Sequence, residues 1–265
     1  MKLFTLLITA AFSVSNALAE TPQNLRVLCY NIHYGQGMDG QYNIQRLADV
    51  IKAAKPDLVA LQEVDVGVLR SGRVHQLQKL GEMTGLTARF GPTQHYEGGL
   101  FGNAVLTRLP ILDEHIQPLP YTDATPERQT YPRGALVITV KAPDGRPLRF
   151  ISTHFQHNVP EDRIEEARAI NKLFADPADK LRTILVGDFN AKPEDEPVTI
   201  LEQSWTHAID DARTPSVPSV NPKSRIDYIF YRAKNQFRLV SSEVLPESMA
   251  SDHRPVLAVL EMAHP

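Results

Sequence analysis

The stretch TILVGDFN, residues 183–190, places two polar side chains after an apolar run. Residues 184–186 have the composition of a buried strand, and Asp188, Phe189 and Asn190 follow. In an extended chain alternate side chains share a face, so Asp188 and Asn190 point to one side and Phe189 to the other. A carboxylate and a carboxamide there are costly to desolvate unless water, a metal ion or a phosphate pairs with them. The alternative is a strand that has reached solvent and enters a turn.

Other apolar strands also carry an acid, an amide or an imidazole at one end. These end residues are Asn31, Glu63, His154, Asp227, Asp252 and His253. Singly, each has a structural explanation as a helix-start acid, a core histidine or a turn residue. Because the strand ends of two packed sheets gather on one rim, together with Asp188 they predict a rim with four carboxylates and two histidines.

Such a rim predicts a hard divalent cation and an anionic substrate. Four carboxylates in one cleft raise one another's pKa, so they cannot all ionise without a cation. Oxygen donors suit Mg²⁺, Mn²⁺ or Ca²⁺ better than Zn²⁺, which prefers more histidine or thiolate. The histidines are then contacts to an anion rather than ligands. Phosphoester hydrolysis needs this set: a cation on the phosphoryl oxygen, a carboxylate for the water and donors for the developing charge.

The elements that position these residues are short strands with helices between only some of them. The strand-like runs are 25–31, 57–64, 103–108, 134–142, 148–155, 183–190, 226–232, 237–245 and 255–262. A helical period covers Ile44 to Ala54, and a looser one covers Ile164 to Phe174. PDGRP at 143–147 predicts a hairpin turn, and the Pro-rich stretch 214–224 predicts a loop. This pattern predicts mixed sheets covered by helices.

Seven motifs support a family resemblance. YNIH, LQEVD, GNAVLTR, STHF, GDFNAKPED, RIDYIF and SDHRPV follow one another between residues 25 and 262. In order and spacing they resemble the endonuclease/exonuclease/phosphatase superfamily, to which DNase I belongs. The resemblance implies an α/β fold, a four-layer α/β sandwich of two packed mixed β-sheets flanked by helices, with the active site at one rim. It also implies a phosphoric ester hydrolase that depends on Mg²⁺ or Mn²⁺, with Ca²⁺ as a further alternative.

The resemblance also implies roles for the polar strand ends. By position, Glu63 is the main metal ligand, and Asn31 and Asp252 complete or support the metal site. Asp188 orients or deprotonates the attacking water. Asn190 holds a phosphate oxygen or the same water.

The family resemblance also implies that two histidines face the phosphate from opposite sides. His253 donates to the phosphate with its ring oriented by Asp227, and His154 lies opposite. Abasic-site endonucleases typically have tyrosine near the position of His154, so histidine favours the DNase I, sphingomyelinase and phosphatase branches. Three roles stay open: Glu97 as the carboxylate partner of His154, and Asn103 and Arg133 as substrate contacts or loop ties.

Charge and composition bear on the substrate. A net charge of −3 disfavours a broad basic surface for nucleic acid, and residues 68–79 form only a modest basic cluster. The sequence therefore favours a phosphodiester of a lipid head group or small molecule, and a secreted DNase I-like nuclease is the alternative. A non-catalytic binding module is disfavoured by the full catalytic set. We expect a monomer.

The first 19 residues have the pattern of a secretory signal peptide. One lysine precedes an apolar run from Leu3 to Val14, and Ala17 to Ala19 form a small-x-small cleavage site. The run is shorter than the roughly 20 residues of a spanning helix. We therefore expect a periplasmic or secreted protein without stable membrane insertion, with one domain over residues 20–265. Cys29 is the only cysteine, so the fold holds without internal disulfides.

Overall fold

The computed structural model describes residues 23–210 and 212–263. The signal peptide expected at residues 1–19 lies outside these residues and stays a prediction. Within the described ranges, no helix has both the length and the apolar character to cross a bilayer.

Twelve strands and four α-helices make up the described fold. The strands are β1 (Gln23–Asn31), β2 (Leu58–Val66), β3 (Thr87–Tyr96), β4 (Gly99–Thr107), β5 (Ile111–Pro118), β6 (Gly134–Lys141), β7 (Pro147–His154), β8 (Thr183–Asp188), β9 (Thr206–His207), β10 (Asp227–Arg232), β11 (Phe237–Val244) and β12 (Val256–Met262). The helices are α1 (Ile44–Ala54), α2 (Gln76–Thr84), α3 (Pro160–Phe174) and α4 (Glu196–Glu202). Two short 3-10 helices lie at His33–Gly35 and Lys234–Gln236.

The strands form two six-stranded sheets, ordered β11-β12-β1-β2-β4-β3 and β5-β6-β7-β8-β10-β9. Each sheet is mixed, because β1 and β2 are parallel in the first and β7 and β8 are parallel in the second, whereas their other neighbours are antiparallel. A parallel pair needs a crossover connection, and α1 and α3 supply it. The carboxyl ends of β1, β2, β7 and β8 are thereby brought to one rim.

Three apolar cores separate four layers. The central core lies between the sheets and includes Val27 and Cys29 of β1 and Ile184 and Val186 of β8. One outer core packs α1 and α2 on the first sheet, and the other packs α3 and α4 on the second. Leu185 belongs to the outer core while its neighbours face inward, as the two-residue period of a strand requires. The four-layer α/β sandwich expected from the resemblance is confirmed.

The helical period of residues 44–54 corresponds to a well-capped amphipathic helix. Leu47, Ala48 and Ile51 are buried against the first sheet. The Asn43 side chain accepts a hydrogen bond from the Arg46 backbone N–H at 3.0 Å, which satisfies one free donor of the first turn.

The nine predicted strands are all present, but the sequence reading missed three strands and two helices. Strand β3 contains glycine and proline, β5 is largely polar and exposed, and β9 has two residues. All three lack the apolar alternation of a half-buried strand. Helices α2 and α4 have nine and seven residues, too few to display a clear period.

Candidate active site

The second sheet sets three polar side chains side by side through its register. His154 pairs with Asp188 in the parallel β7–β8 ladder, and Asp188 pairs with Asp227 in the antiparallel β8–β10 ladder. Residues in register on adjacent strands project to the same face. All three side chains are buried, so the sheet itself concentrates two carboxylates and an imidazole at its end.

The first sheet adds an amide and a carboxylate. Asn31 ends β1, and Glu63 lies where the β2–β4 register shifts, with a left-handed φ of 58°. The Asn31 Nδ2 donates to Glu63 Oε1 and to Asp188 Oδ2, both at 3.0 Å. One amide therefore joins a carboxylate from each sheet.

A histidine–carboxylate pair approaches from the loop before β12. The His253 Nδ1 lies 2.9 Å from Asp227 Oδ2, which also accepts a hydrogen bond from Ser216 Oγ at 2.6 Å. Burial alone would lower the pKa of His253, but the carboxylates of Asp227 and Asp188 raise it to about 10. The ring is therefore an imidazolium at neutral pH, with Nε2 lying 3.8 Å from Asp188 Oδ2.

Asp188 and Asn190 meet through a turn rather than through an extended strand. Strand β8 ends at Asp188, and Asn190 has a left-handed φ of 48°. The Asn190 backbone N–H donates to Asp188 Oδ1 at 2.9 Å, and its Nδ2 donates to His154 Nε2 and to the Phe155 carbonyl, both at 3.1 Å. The two side chains share a site as expected, but the two-residue period was the wrong reason.

Burial shifts the pKa values of Asp188 and His154, the two buried groups at the centre of the site. Burial raises the pKa of Asp188 to about 7, assisted by the neighbouring Asp227. Burial also lowers the pKa of His154 well below its ordinary value, with the Arg133 cation adding to the effect. His154 is therefore neutral and accepts from Asn190, while Asp188 can exchange a proton near neutral pH.

The two buried carboxylates beside His253 suit a divalent cation, whereas the His253 imidazolium is a hydrogen-bond donor and not a metal ligand. One side-chain oxygen or nitrogen atom from each of Asp188, Asp227 and His253 lies within 4.8 Å of the other two, and all three residues are buried. Asp227 Oδ1 has no hydrogen-bond partner although it is buried. A buried carboxylate oxygen without a partner is costly, and a cation relieves that cost.

The three expected metal ligands are not equally close. Asn31 and Glu63 are hydrogen bonded to each other. The Asp252 carboxylate is partly exposed and lies 3.4 Å from Ser251 Oγ and 3.8 Å from His33 Nδ1. Within the described residues, no hydrogen bond joins Asp252 to the side chain of Asn31 or Glu63.

A pocket of about 270 Å³ with two different walls is lined at its polar end by Glu63, His154, Asp188, Asn190 and His253. One wall comprises Arg70, Tyr96 and Phe101, and the other comprises Tyr131, Arg133 and His157. On the first wall the Arg70 guanidinium makes two 2.9 Å hydrogen bonds to the buried Asp65 carboxylate. It also lies 3.7 Å from the centre of the Tyr34 ring.

The sequence analysis identified neither wall as a whole, since the contributing loops share no motif. Arg70 belongs to the modest basic cluster of residues 68–79, and for Arg133 the sequence supports either a substrate contact or a loop tie. The roles of Glu97 and Asn103 were also open. Glu97 is not the partner of His154. Glu97 Oε2 accepts from the Arg70 backbone N–H at 2.8 Å, and His154 Nδ1 has no partner. Asn103 Nδ2 donates to the Gly134 carbonyl at 2.9 Å and so ties the two sheets together.

Two residues that line the pocket, Glu63 and Asn190, have a strained left-handed backbone. Non-glycine residues with a left-handed φ include His33, Tyr34, Glu63, Glu97 and Asn190. Each such conformation costs on the order of 1–3 kcal/mol and persists where the surrounding structure imposes it. For Tyr34, a hydrogen bond of 2.6 Å from Gln76 Nε2 to its carbonyl holds the backbone in place.

Comparison with known proteins places the chain in a family. The model of the Endonuclease/Exonuclease/phosphatase family matches residues 29–253. No curated protein matches significantly in sequence. Among solved structures, an endonuclease/exonuclease/phosphatase from Beutenbergia cavernae is 25% identical with a TM-score of 0.73, covering 91% of this chain and 72% of that one. A protein from Bacteroides vulgatus with the same description is 21% identical with a TM-score of 0.74, covering 91% and 100%.

A mannosyl-6-phosphatase from Bacteroides thetaiotaomicron is 22% identical with a TM-score of 0.72, covering 89% of this chain and 99% of that one. These structures share the fold of the present chain. Because the family model matches residues 29–253, most of the sequence, the chain belongs to the Endonuclease/Exonuclease/phosphatase family, whose members are hydrolases acting on phosphoesters.

Proposed function

We propose that the protein is an exported, divalent-cation-dependent phosphoesterase that hydrolyses a phosphodiester of a lipid head group or small molecule. The observation that carries the proposal is the hydrogen-bonded cluster of Asn31, Glu63, Asp188, Asp227 and His253, from which Glu63, Asp188 and His253 line one pocket. All of the cluster is buried except Glu63, which is partly exposed. Export rests on the sequence of residues 1–19 alone.

Mg²⁺ is the proposed cation, with Mn²⁺ or Ca²⁺ as alternatives. Glu63 is its proposed main ligand, with Asn31 and Asp252 in support. A bound cation supplies polarisation of the phosphoryl oxygen and neutralisation of the crowded carboxylates.

The chain's own residues supply the remaining chemistry. Asp188, with a pKa raised by burial to about 7, orients a water molecule and accepts its proton. The His253 imidazolium, held by Asp227, donates to a phosphoryl oxygen. Asn190 and His154 form the opposite side of the phosphoryl site, and their mutual hydrogen bond fixes both side chains before the substrate arrives.

The size and walls of the pocket support a small substrate. About 270 Å³ holds a phosphoryl group and a compact substituent, and the wall of Arg70, Tyr96 and Phe101 can pack against a sugar or other ring. The net charge of −3 also disfavours tracking of a nucleic-acid backbone. The Bacteroides neighbour described as a mannosyl-6-phosphatase makes a sugar phosphomonoester a further candidate. The histidine pair keeps a secreted DNase I-like nuclease as the alternative.

A comparison of three substrates with added Mg²⁺ tests the proposal. We expect turnover of bis-p-nitrophenyl phosphate and of either sphingomyelin or phosphatidylinositol, with slow or no nicking of plasmid DNA. Plasmid nicking at a rate that exceeds lipid and chromogenic turnover would favour the nuclease. No hydrolysis of any of the three with Mg²⁺ or Mn²⁺ would contradict the proposed phosphodiesterase activity.

A further inference from the structure

Arg133 is a buried cation that lacks an anionic partner. Its side chain is 6% exposed, and its Nε has no hydrogen-bond partner. Among the residues that the structure describes, its one side-chain hydrogen bond runs from Nη2 to His157 Nδ1, at 3.4 Å. Within residues 23–210 and 212–263, no carboxylate forms an ion pair with its guanidinium. A buried guanidinium without an ion pair is costly because it loses hydration. The pocket carboxylates Glu63 and Asp188 attract Arg133, but neither forms a hydrogen bond or ion pair with it, and burial still lowers the pKa of Arg133.

The carboxyl group with the strongest electrostatic effect on Arg133 does not neutralise it. Glu166 lies on α3, and its Oε2 accepts a hydrogen bond from the Gln156 backbone N–H at 2.9 Å. Its Oε1 is buried without a partner. Burial raises the pKa of Glu166 to about 8, so this carboxyl group is predominantly protonated at pH 7. Arginine remains charged even when buried, and the positive charge stays uncompensated on that side.

The Arg133 backbone and its neighbours are fixed at the pocket wall. Arg133 immediately precedes β6, and the carbonyl of the next residue, Gly134, accepts from Asn103 Nδ2 at 2.9 Å and from Thr153 Oγ1 at 3.3 Å. The Tyr131 ring stacks on His157 with centroids 5.5 Å apart. Because Arg133 donates to Nδ1 of His157, the Nε2–H of that ring stays available as a second donor.

We propose that Arg133 and His157 form an anion subsite that binds a second negative charge of the substrate. This inference rests on the proposed function, because the first charge belongs to the phosphoryl group at His154, Asn190 and His253. The ligand chemistry is a phosphate or carboxylate oxygen. Its source is either the second ionised oxygen of a phosphomonoester or an anionic substituent next to a phosphodiester.

Three chromogenic substrates separate these sources. Thymidine 5′-(p-nitrophenyl phosphate) is a singly charged diester, its 3′-phosphorylated form adds a neighbouring anion, and p-nitrophenyl phosphate is a monoester dianion. Arg133→Gln should lower kcat/KM for at least one of the two more highly charged substrates about tenfold or more beyond its effect on the singly charged diester. The substrate whose kcat/KM falls more than that of the singly charged diester identifies the source of the second charge.

Matched variants separate the subsite from general charge effects. Arg168→Gln removes an exposed arginine of α3 that pairs with Glu165. This variant should change kcat/KM only slightly, and by the same factor for all three substrates. Arg133→Lys keeps a point charge and should retain part of the preference. If Arg133→Gln melts below the assay temperature, His157→Gln at the exposed end of the subsite carries the same comparison, with an expected change of about threefold.

A binding measurement without metal tests the subsite apart from turnover. Calorimetric titration of the chelator-treated protein with inorganic phosphate should show binding that Arg133→Gln weakens about tenfold or more. Equal losses of kcat/KM on all three substrates, together with unchanged phosphate affinity, would overturn the inference and leave the proposed function intact. If the wild-type protein hydrolyses none of these three substrates with Mg²⁺, the phosphate titration alone decides the subsite. The proposed function fails only if bis-p-nitrophenyl phosphate, the lipids and plasmid DNA are also left intact with Mg²⁺ or Mn²⁺.

Discussion

At the residue scale, three consecutive positions alternate between the pocket and the core: Asp188 and Asn190 line the pocket, and Phe189 packs in the core. Asp188 and Asn190 face the pocket, whereas the Phe189 ring is fully buried among Phe155, Tyr228 and Phe230 with centroid distances of 4.7, 5.7 and 5.5 Å. Substitutions of Asp188 and Asn190 should therefore lower kcat, whereas substitution of Phe189 should lower the free energy of unfolding.

Asp188→Asn and Asn190→Ala should each lower kcat by about 100-fold or more, because each removes a positioned base or donor. Circular dichroism and thermal melting should show a folded protein in both cases. Wild-type turnover in the Asp188→Asn protein would show that the proposed base is misplaced.

Phe189→Ala should instead lower the free energy of unfolding by about 3–5 kcal/mol, since it leaves a cavity in the core beneath α3 and α4. Urea unfolding measures this loss. A loss below about 1 kcal/mol would contradict the packing role assigned to Phe189.

Glu166 gives the stability of the fold a pH dependence. Its folded pKa of about 8 lies above the ordinary value of 4.5, so its favourable contribution is complete below pH 4.5 and is lost as the pH rises to 8. Glu166→Gln should match the wild-type stability near pH 5 and exceed it by about 2 kcal/mol near pH 8.5. Tm measured at both pH values tests this. A variant less stable than wild type at pH 8.5 would show that Glu166 is an ionised partner of Arg133.

The polar strand ends could be predicted from the sequence, because a short stretch shows both the residue type and the end of the apolar run. Their contacts could not all be read in this way. The left-handed turn at Asn190 and the Asn31 bridge between Glu63 and Asp188 depend on how two sheets meet. The unpaired state of Arg133 depends on the burial of Glu166, which belongs to a different element.

At the element scale, the hairpin between β6 and β7 is tied to the start of β8. Asp144 in the hairpin turn accepts hydrogen bonds from Arg182 at 2.7 and 3.0 Å and from Arg146 Nε at 2.8 Å. Burial alone would raise the pKa of Asp144, but the two arginines lower it to about 2. This contact connects two strands that form one side of the site.

Asp144→Asn should lower the stability of the fold at pH 7 by about 2 kcal/mol. Because the folded pKa is depressed, the Asp144 contribution is present above pH 3.8 and is lost as the pH falls toward 2. Chemical unfolding at pH 7 and pH 2.5 should therefore show a difference between variant and wild type that shrinks in acid. An equal difference at both values would assign the effect to packing.

Elements with strong apolar patterns were predictable, and polar or short elements were not. Strand β8 alternates between two cores, so its pattern is visible in the sequence. Strand β5 is a mostly exposed sheet edge and buries too little apolar surface to show a period. Helix α2 begins at a histidine cap, where His75 Nδ1 accepts from the Gln78 backbone N–H at 3.1 Å, an infrequent start signal.

At the scale of the whole molecule, export is the expectation that depends least on the fold. We expect cleavage between Ala19 and Glu20, because the small-x-small site follows an apolar run. Intact-mass analysis of the protein from its native host should give a chain that begins at Glu20. A mass that retains Met1 to Ala19 in most of the material would reject the proposal.

The two sheets explain why the whole chain is needed for one site. Asn31 and Glu63 come from the first sheet, and His154, Asp188 and Asp227 come from the second. The central core lies between the two sheets, so the packing of the molecule positions the residues of the candidate site.

The most direct test of the proposed mechanism is turnover of bis-p-nitrophenyl phosphate before and after removal of divalent cations. Wild-type protein dialysed against excess chelator should lose its turnover, and added Mg²⁺ or Mn²⁺ should restore it, because the buried carboxylates need a cation to bind an anionic substrate. The Asp188→Asn protein should stay about 100-fold slower after the same addition. Full wild-type activity in excess chelator after dialysis would contradict a divalent-cation-dependent phosphoesterase at this site.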